Sequence, residues 1–328
     1  MKCINKWICL SLLIAVSCVS GCGKTSAAIE QPYDVYATAA DFGLSSNGTA
    51  EAKSYFASDL CVSEDVAIGT DSTDSQVAEG AGTFNLETNT VVYAKNLYER
   101  LYPASTTKIL TAYIALKYCD DLDAMVTVSE NAVNQASDSS VCNLKAGDVI
   151  RLRDLLYGLM LRSGNDAAVA IAEYISGDVD SFAALMNQEA AAMGATRSHF
   201  VNPNGLPDEN HYTCVYDMYL IFSNAIKNDT FVSIIGTTSY DVTYTDASGE
   251  AVTHTWENTN QYLTGNATTP DGFQIVGGKT GTTSEAGYCL VLYSYNPSGQ
   301  PIISIVFKAD GKSNLYLLMN EMLQGFAI

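Results

Sequence analysis

The chain is short of positive charge. Seventeen Lys and Arg stand against 36 Asp and Glu, a formal net charge of −19. Such a surface repels phosphate backbones and anionic headgroups, which argues against nucleic acid or an anionic lipid surface as a partner. Histidine is scarcer still: His199, His211 and His254 are the only ones. There is no Cys-x-x-Cys pair and no His-Glu-x-x-His motif. The donor sets that usually hold zinc are therefore missing, and neither a metal nor another cofactor is expected. No internal repeat and no second-domain boundary is visible. The apolar run from Trp7 to Val19 is too short for an ordinary transmembrane span.

What that run does have is context. Lys2 and Lys6 precede it, and Val19-Ser20-Gly21-Cys22 follows. A charged start, a short apolar centre and small residues before a cut site describe an export signal. Val-Ser-Gly-Cys also resembles a bacterial lipobox, in which Cys22 would be lipidated and become the first mature residue. The expectation is a signal peptide over 1–21 and an extracytoplasmic body held to the outer face of the membrane by that lipid. Cleavage would remove Lys2 and Lys6 and no acid, taking the charge from −19 to −21. Residues 23–50 are rich in Ala, Ser, Thr and Gly, so residues 22–54 read as the lipidated Cys and a flexible tether. A coil of that length spans about 30 Å, at roughly 5–6 Å times the square root of residue number. Residues 55–328 then form one large domain. Its cysteines, Cys61, Cys119, Cys142, Cys214 and Cys289, are odd in number, so at least one is unpaired within the chain. Cys119, Cys214 and Cys289 sit in apolar surroundings and read as small buried residues.

Three short signatures follow one another: Ser105-Thr106-Thr107-Lys108, Ser163-Gly164-Asn165 and Lys279-Thr280-Gly281. Lys108 is the only lysine with a serine three residues before it. Ser-x-Asn alone decides nothing, since Ser129-Asn131 and Ser294-Asn296 show it too. The order and separation of the three carry the weight. Together they supply a serine nucleophile with a lysine base, a second hydroxyl with an amide, and a cationic strand edge. Acyl transfer on a peptide that ends in a carboxylate needs that set.

The surrounding pattern gives the frame. Gly82–Leu86, a turn at Glu87-Thr88-Asn89 and Val91–Ala94 read as a β-hairpin. Ser105 opens an apolar-periodic helix through Ile109, Ala112, Tyr113 and Leu116, with Pro103 just before it. Ser105 and Lys108 then share one helix face. Leu152–Leu161 is a second helix and Ala167–Ile175 a third, so Ser163 and Asn165 fall on the connection between them. Further helices are expected near Asp180–Met193, Val215–Lys227 and Asn314–Phe326. Gln274–Thr280, Gly287–Tyr295 and Ile302–Lys308 read as strands. Strands at both ends and helices between imply an α/β sandwich with an antiparallel sheet and a helical subdomain.

From about Glu79 onward the chain resembles the D-alanyl-D-alanine carboxypeptidases, the low-molecular-mass penicillin-binding proteins. Pro103-Ala104-Ser105-Thr106-Thr107-Lys108 is similar to the family's nucleophile segment. Ser163-Gly164-Asn165-Asp166-Ala167 and Lys279-Thr280-Gly281-Thr282-Thr283 are similar to its second and third motifs. His199-Phe200-Val201-Asn202-Pro203-Asn204-Gly205-Leu206, followed by His211-Tyr212-Thr213, resembles a family loop near the cleft. The resemblance implies a β-lactamase/transpeptidase-like fold. Many family members add a C-terminal β domain and an amphipathic anchor. This chain leaves no room for that domain, and the lipid at Cys22 would replace the anchor. Thr282 stands where some relatives have His.

The resemblance implies peptidoglycan stem peptides ending in D-Ala-D-Ala as substrate and β-lactam antibiotics as covalent inhibitors. Ser105 would form an acyl-enzyme, with Lys108 as base once burial and Lys279 favour its neutral form. Ser163 would relay a proton to the departing D-alanine. Asn165 would bond the substrate amide and help place Lys108. Lys279 and Thr280 would grip the terminal carboxylate. Gly281 would let the substrate backbone lie against the strand. The backbone N–H groups of Ser105 and Thr282 would form the oxyanion hole. A class A β-lactamase shares fold and motifs but needs a deacylating Glu in a Glu-x-x-Leu-Asn segment. The corresponding region reads Asn202-Pro203-Asn204-Gly205-Leu206-Pro207. A wall endopeptidase, and a wall-binding or antibiotic-sensing module that acylates and stops, are the remaining alternatives.

Overall fold

The computed structural model describes residue 57 and residues 59–328. The expected signal peptide, Cys22 and the whole of the expected tether lie outside the described residues. The body forms one compact unit, Ala57–Ile328. Tyr55–Leu60 could have packed on the body or continued the tether; within it, Leu60 packs on the core. Cys61 next to it is buried, with its N–H on the Tyr219 hydroxyl at 2.9 Å.

A five-stranded antiparallel sheet carries the fold. Its strands are β1 (Ala78–Asn85), β2 (Thr90–Lys95), β7 (Gln274–Thr283), β8 (Gly287–Tyr295) and β9 (Pro301–Ala309), in the order β2-β1-β9-β8-β7. Residues on β8 and β9 alternate between two apolar faces, as the two-residue period of a strand dictates. Leu290, Leu292, Ile302 and Val306 pack with Leu315, Leu318, Met319 and Met322 of helix α8 (Lys312–Phe326). Val291, Ile303, Ile305 and Phe307 point the other way, into the larger core shared with the central helices. α8 is the last element among the described residues.

The central helices are α1 (Lys108–Tyr118), α2 (Glu130–Val133), α3 (Leu152–Tyr157), α4 (Asn165–Ser176), α5 (Val179–Ala192), α6 (Val215–Ala225) and α7 (Asp229–Ile235). α1 buries Ile109, Leu110, Ala112, Ile114 and Ala115, so nearly its whole circumference is covered, as expected of a helix at the centre of a domain. A second antiparallel sheet escaped the sequence reading. It comprises β3 (Met125–Thr127), β4 (Val149–Arg151), β5 (Ser239–Thr245) and β6 (Ala251–Glu257). It touches the helical core through Val242, Tyr244 and Trp256.

Two boundaries differ from expectation in ways that matter. The segment opening at Ser105 begins as a single 3-10 turn, Ala104–Thr107, before α1 proper. The helix expected over Leu152–Leu161 stops at Tyr157 and continues as a π turn, Gly158–Arg162. It ends where Ser163 turns left-handed, at φ 62° and ψ 34°. Asn165 is not in the connection; it opens α4, with Gly164 before it. The Asp166 carboxylate closes that corner by accepting from the N–H groups of Cys142 and Leu144. All five cysteines of the body are free thiols. Cys214 and Cys289 are fully buried as expected, whereas Cys119 is half-buried.

Candidate active site

The three signatures converge. The Lys108 amine, fully buried, lies 2.9 Å from Ser105 Oγ and donates to Asn165 Oδ1 at 2.8 Å and to the Asn204 carbonyl at 2.7 Å. Lys279, also buried, lies 3.0 Å from Ser163 Oγ and 2.9 Å from the Thr280 carbonyl. The 3-10 turn explains the first contact, because it stacks residues three apart above one another.

Ser105 sits on a turn held by two glycines. Ala104, just before it, has a positive φ of 47°, a conformation that costs a non-glycine residue free energy. A Cβ on Gly205 would fall 1.8 Å from the Ala104 carbonyl oxygen, and a Cβ on Gly281 would fall 2.9 Å from the Ser105 nitrogen. Gly281 is thus needed so that β7 can press against the nucleophile turn. This packing constraint stands beside the expected role of Gly281 in admitting a substrate backbone.

Burial sets the charges. It pushes Lys108 well below the ordinary lysine value, and the neighbouring Lys279 charge lowers it further. Burial also brings Lys279 down to about 7. An amine near neutrality can accept a proton, which an ordinary lysine cannot do at pH 7.

Two cavities flank Ser105. One, of about 270 Å³, is lined by Ser105, Asn165, Asn204, Leu206 and Thr282, with Asp138 and Glu285 among its other walls. The second, of about 210 Å³, is lined by Ser105, Ser163, Thr259, Thr280, Gly281 and Thr282, together with Lys312. The Thr259 and Thr280 hydroxyls are bonded at 2.6 Å. Sequence reasoning gave no role to Asn204, Thr259 or Lys312. Asn204 lies within the loop resembling a family cleft loop. Thr259 and Lys312 carry no local signature at all.

A serine against a buried lysine, set between an amide, a second serine–lysine pair and a strand edge, is the arrangement that acyl transfer requires. The family model described as D-alanyl-D-alanine carboxypeptidase, Peptidase_S11, matches residues 69–311. The chain belongs to that family of serine peptidases. It is 33% identical over 251 residues to D-alanyl-D-alanine carboxypeptidase DacF of Bacillus subtilis, covering 75% of this chain and 61% of that protein. It is 34% identical over 265 residues to D-alanyl-D-alanine carboxypeptidase of a Streptomyces strain, covering 76% of this chain and 88% of the relative. The crystal structure of the Streptomyces K15 DD-transpeptidase superposes with a TM-score of 0.71 at 33% identity, over 77% of this chain and 98% of that one. The mixed α/β fold with antiparallel sheets is that of these neighbours.

Proposed function

We propose that this protein is a serine-type D-alanyl-D-alanine carboxypeptidase that removes the terminal D-alanine of peptidoglycan stem peptides and is acylated by penicillins. One observation carries the reading. Two of the three partners of Lys108 Nζ, the Asn165 and Asn204 carbonyl oxygens, can only accept. A neutral amine offers them its two N–H bonds. Its lone pair is left facing the third partner, the Ser105 hydroxyl.

Ser105 Oγ then attacks the carbonyl between the two D-alanines as its proton passes to Lys108. The C–N bond breaks when the leaving nitrogen gains a proton. Ser163 supplies the path: its oxygen accepts from Lys279, which leaves its own hydrogen free to donate. Water hydrolyses the acyl-enzyme and releases Ser105. The backbone N–H groups of Ser105 and Thr282 hold the oxyanion; losing one such donor costs about 3–4 kcal/mol in comparable sites. Asn165 binds the substrate amide while holding Lys108. Lys279 and Thr280 take the terminal carboxylate in the smaller cavity, where Thr259 and Lys312 add a hydroxyl and a charge. Both carboxylates lining the larger cavity, Asp138 and Glu285, are exposed, which disfavours the lactamase route through a buried Glu.

The test is Ser105→Ala. It should abolish both D-alanine release from a pentapeptide ending in D-Ala-D-Ala and covalent labelling by a fluorescent penicillin. D-alanine release at the normal rate would sink the nucleophile assignment. Cross-linked muropeptides in the same assay separate an endopeptidase.

We also propose export through residues 1–21 and lipid attachment at Cys22, which would place the enzyme on the outer face of the cytoplasmic membrane. The pattern Val19-Ser20-Gly21-Cys22 after a short apolar run supports this.

A further inference from the structure

His211 is buried at the edge of the site, and the chemistry above does not use it. Its Nδ1 lies 3.1 Å from the Val201 backbone nitrogen and its Nε2 lies 2.9 Å from Thr107 Oγ1. A backbone N–H can only donate, so Nδ1 must be the bare nitrogen and the ring proton must sit on Nε2. Nε2–H then donates to Thr107, which lies between the nucleophile and its base. Phe200 packs edge-on against the same ring, at a centroid distance of 5.5 Å.

Residues 201–204 are thus tied to the start of α1 by more than the base itself. Thr111 Oγ1 donates to the Pro203 carbonyl at 2.6 Å, and Lys108 donates to Asn204 next to it. Thr107, Lys108 and Thr111 stand one and four residues apart, on one side of the helix. The His211 bridge is the tie at the nucleophile end.

We propose that His211 is a positioning residue: as neutral imidazole with its proton on Nε2, it pins Val201–Asn204 to the nucleophile turn, so that the Asn204 carbonyl keeps the Lys108 lone pair on Ser105. This rests on the Ser105–Lys108 reading given above. A second proton would sit on Nδ1, facing the Val201 N–H, and would break the bridge. Burial brings the imidazole down to about 4. Asp208 favours the charged ring, and His199 and Lys108 oppose it.

The experiment uses the full chain with His211→Asn, Thr107→Val and the double variant. The acylation rate by a fluorescent penicillin is measured at pH 7 alongside thermal melts. Each single variant should acylate on the order of 10- to 100-fold more slowly at pH 7, as small misplacements at catalytic groups do. The double variant should be no slower than the worse single, because both cut one bridge. Acid protonates Lys108 in every variant, so the three variants are compared with wild type at pH 7, where the base is the same in all. Imidazole ¹⁵N NMR of the wild type at pH 7 should show a bare Nδ1. Should His211→Asn fail to fold, Thr107→Val and the NMR spectrum still decide. Multiplicative losses in the double variant or a proton on Nδ1 would each overturn the proposal. Total loss of labelling in Ser105→Ala stays independent of these outcomes, so failure here is separable from failure of the nucleophile assignment.

Discussion

Lys279 Nζ and Ser163 Oγ meet at 3.0 Å although 116 residues separate them in the chain. Ser163 holds a left-handed backbone to reach that contact, a conformation that costs a non-glycine residue about 1–2 kcal/mol. The pair joins the second and third signatures into one electrostatic unit beside the Ser105–Lys108 pair. Each lysine is buried and each touches one serine, so the site holds two amines whose charges oppose one another.

Replacing the base separates charge from basicity. Lys108→Ala removes the donor from Asn165 Oδ1 and the Asn204 carbonyl. Lys108→Arg keeps a cation but cannot deprotonate. Both should slow penicillin acylation by about 10²- to 10⁴-fold, the usual worth of a general base. Stopped-flow labelling reads this directly, and rescue by Arg would count against proton abstraction by Lys108.

Lys279 makes substrate binding depend on pH. In the free enzyme its amine loses charge as pH rises through about 7. The KM for a peptide with a free terminal carboxylate should therefore rise between pH 7 and 9. Lys279→Arg should flatten that rise. The sign for stability is opposite. The folded amine releases its proton near 7, whereas the unfolded one keeps it to about 10.4. Lys279 thus contributes stability that grows as pH rises from 7 toward 10.4. Urea midpoints at pH 7 and 9, wild type against Lys279→Met, isolate it.

Gly281→Ala tests the press of β7 on the nucleophile turn. The new methyl would lie 2.9 Å from the Ser105 nitrogen and 3.0 Å from the Ala104 Cβ. Backbone must shift to admit it, at about 1–3 kcal/mol. The thermal midpoint should fall and acylation should slow together. An unaltered rate would mean that the turn tolerates displacement.

Cys22→Ser tests the anchor alone. The variant should move from the membrane to the soluble fraction, and its body should acylate at the wild-type rate. Intact-mass measurement of the wild type should show the added lipid on a chain that begins at Cys22.

The sequence carried those features that local chemistry writes into it. The strands Gly287–Tyr295 and Ile302–Lys308 were legible because both faces of β8 and β9 are apolar and turn residues bound them. Ser105 and Lys108 could be paired from spacing alone. β5 and β6 were missed because half of their residues are exposed and polar, with Val242, Tyr244 and Trp256 as the only buried ones. The π turn was missed because Gly158–Arg162 is apolar enough to extend any helix pattern, and what stops it is the left-handed Ser163. Lys312 in the cleft and the Asn204 carbonyl on Lys108 are products of tertiary folding. A carbonyl is present in every residue, so no sequence pattern can announce which one will face an amine.

The strand order β2-β1-β9-β8-β7 has a consequence for how the enzyme comes into being. β1 precedes its partner β9 by most of the domain, as Ala78 pairing with Ala309 shows. β7, which bears Lys279, joins β1 only through β8 and β9. Loop closure over that span must therefore precede the pairing that sets Lys279 beside Ser163 and Ser105, so the pocket is a product of long-range pairing and not of any local segment.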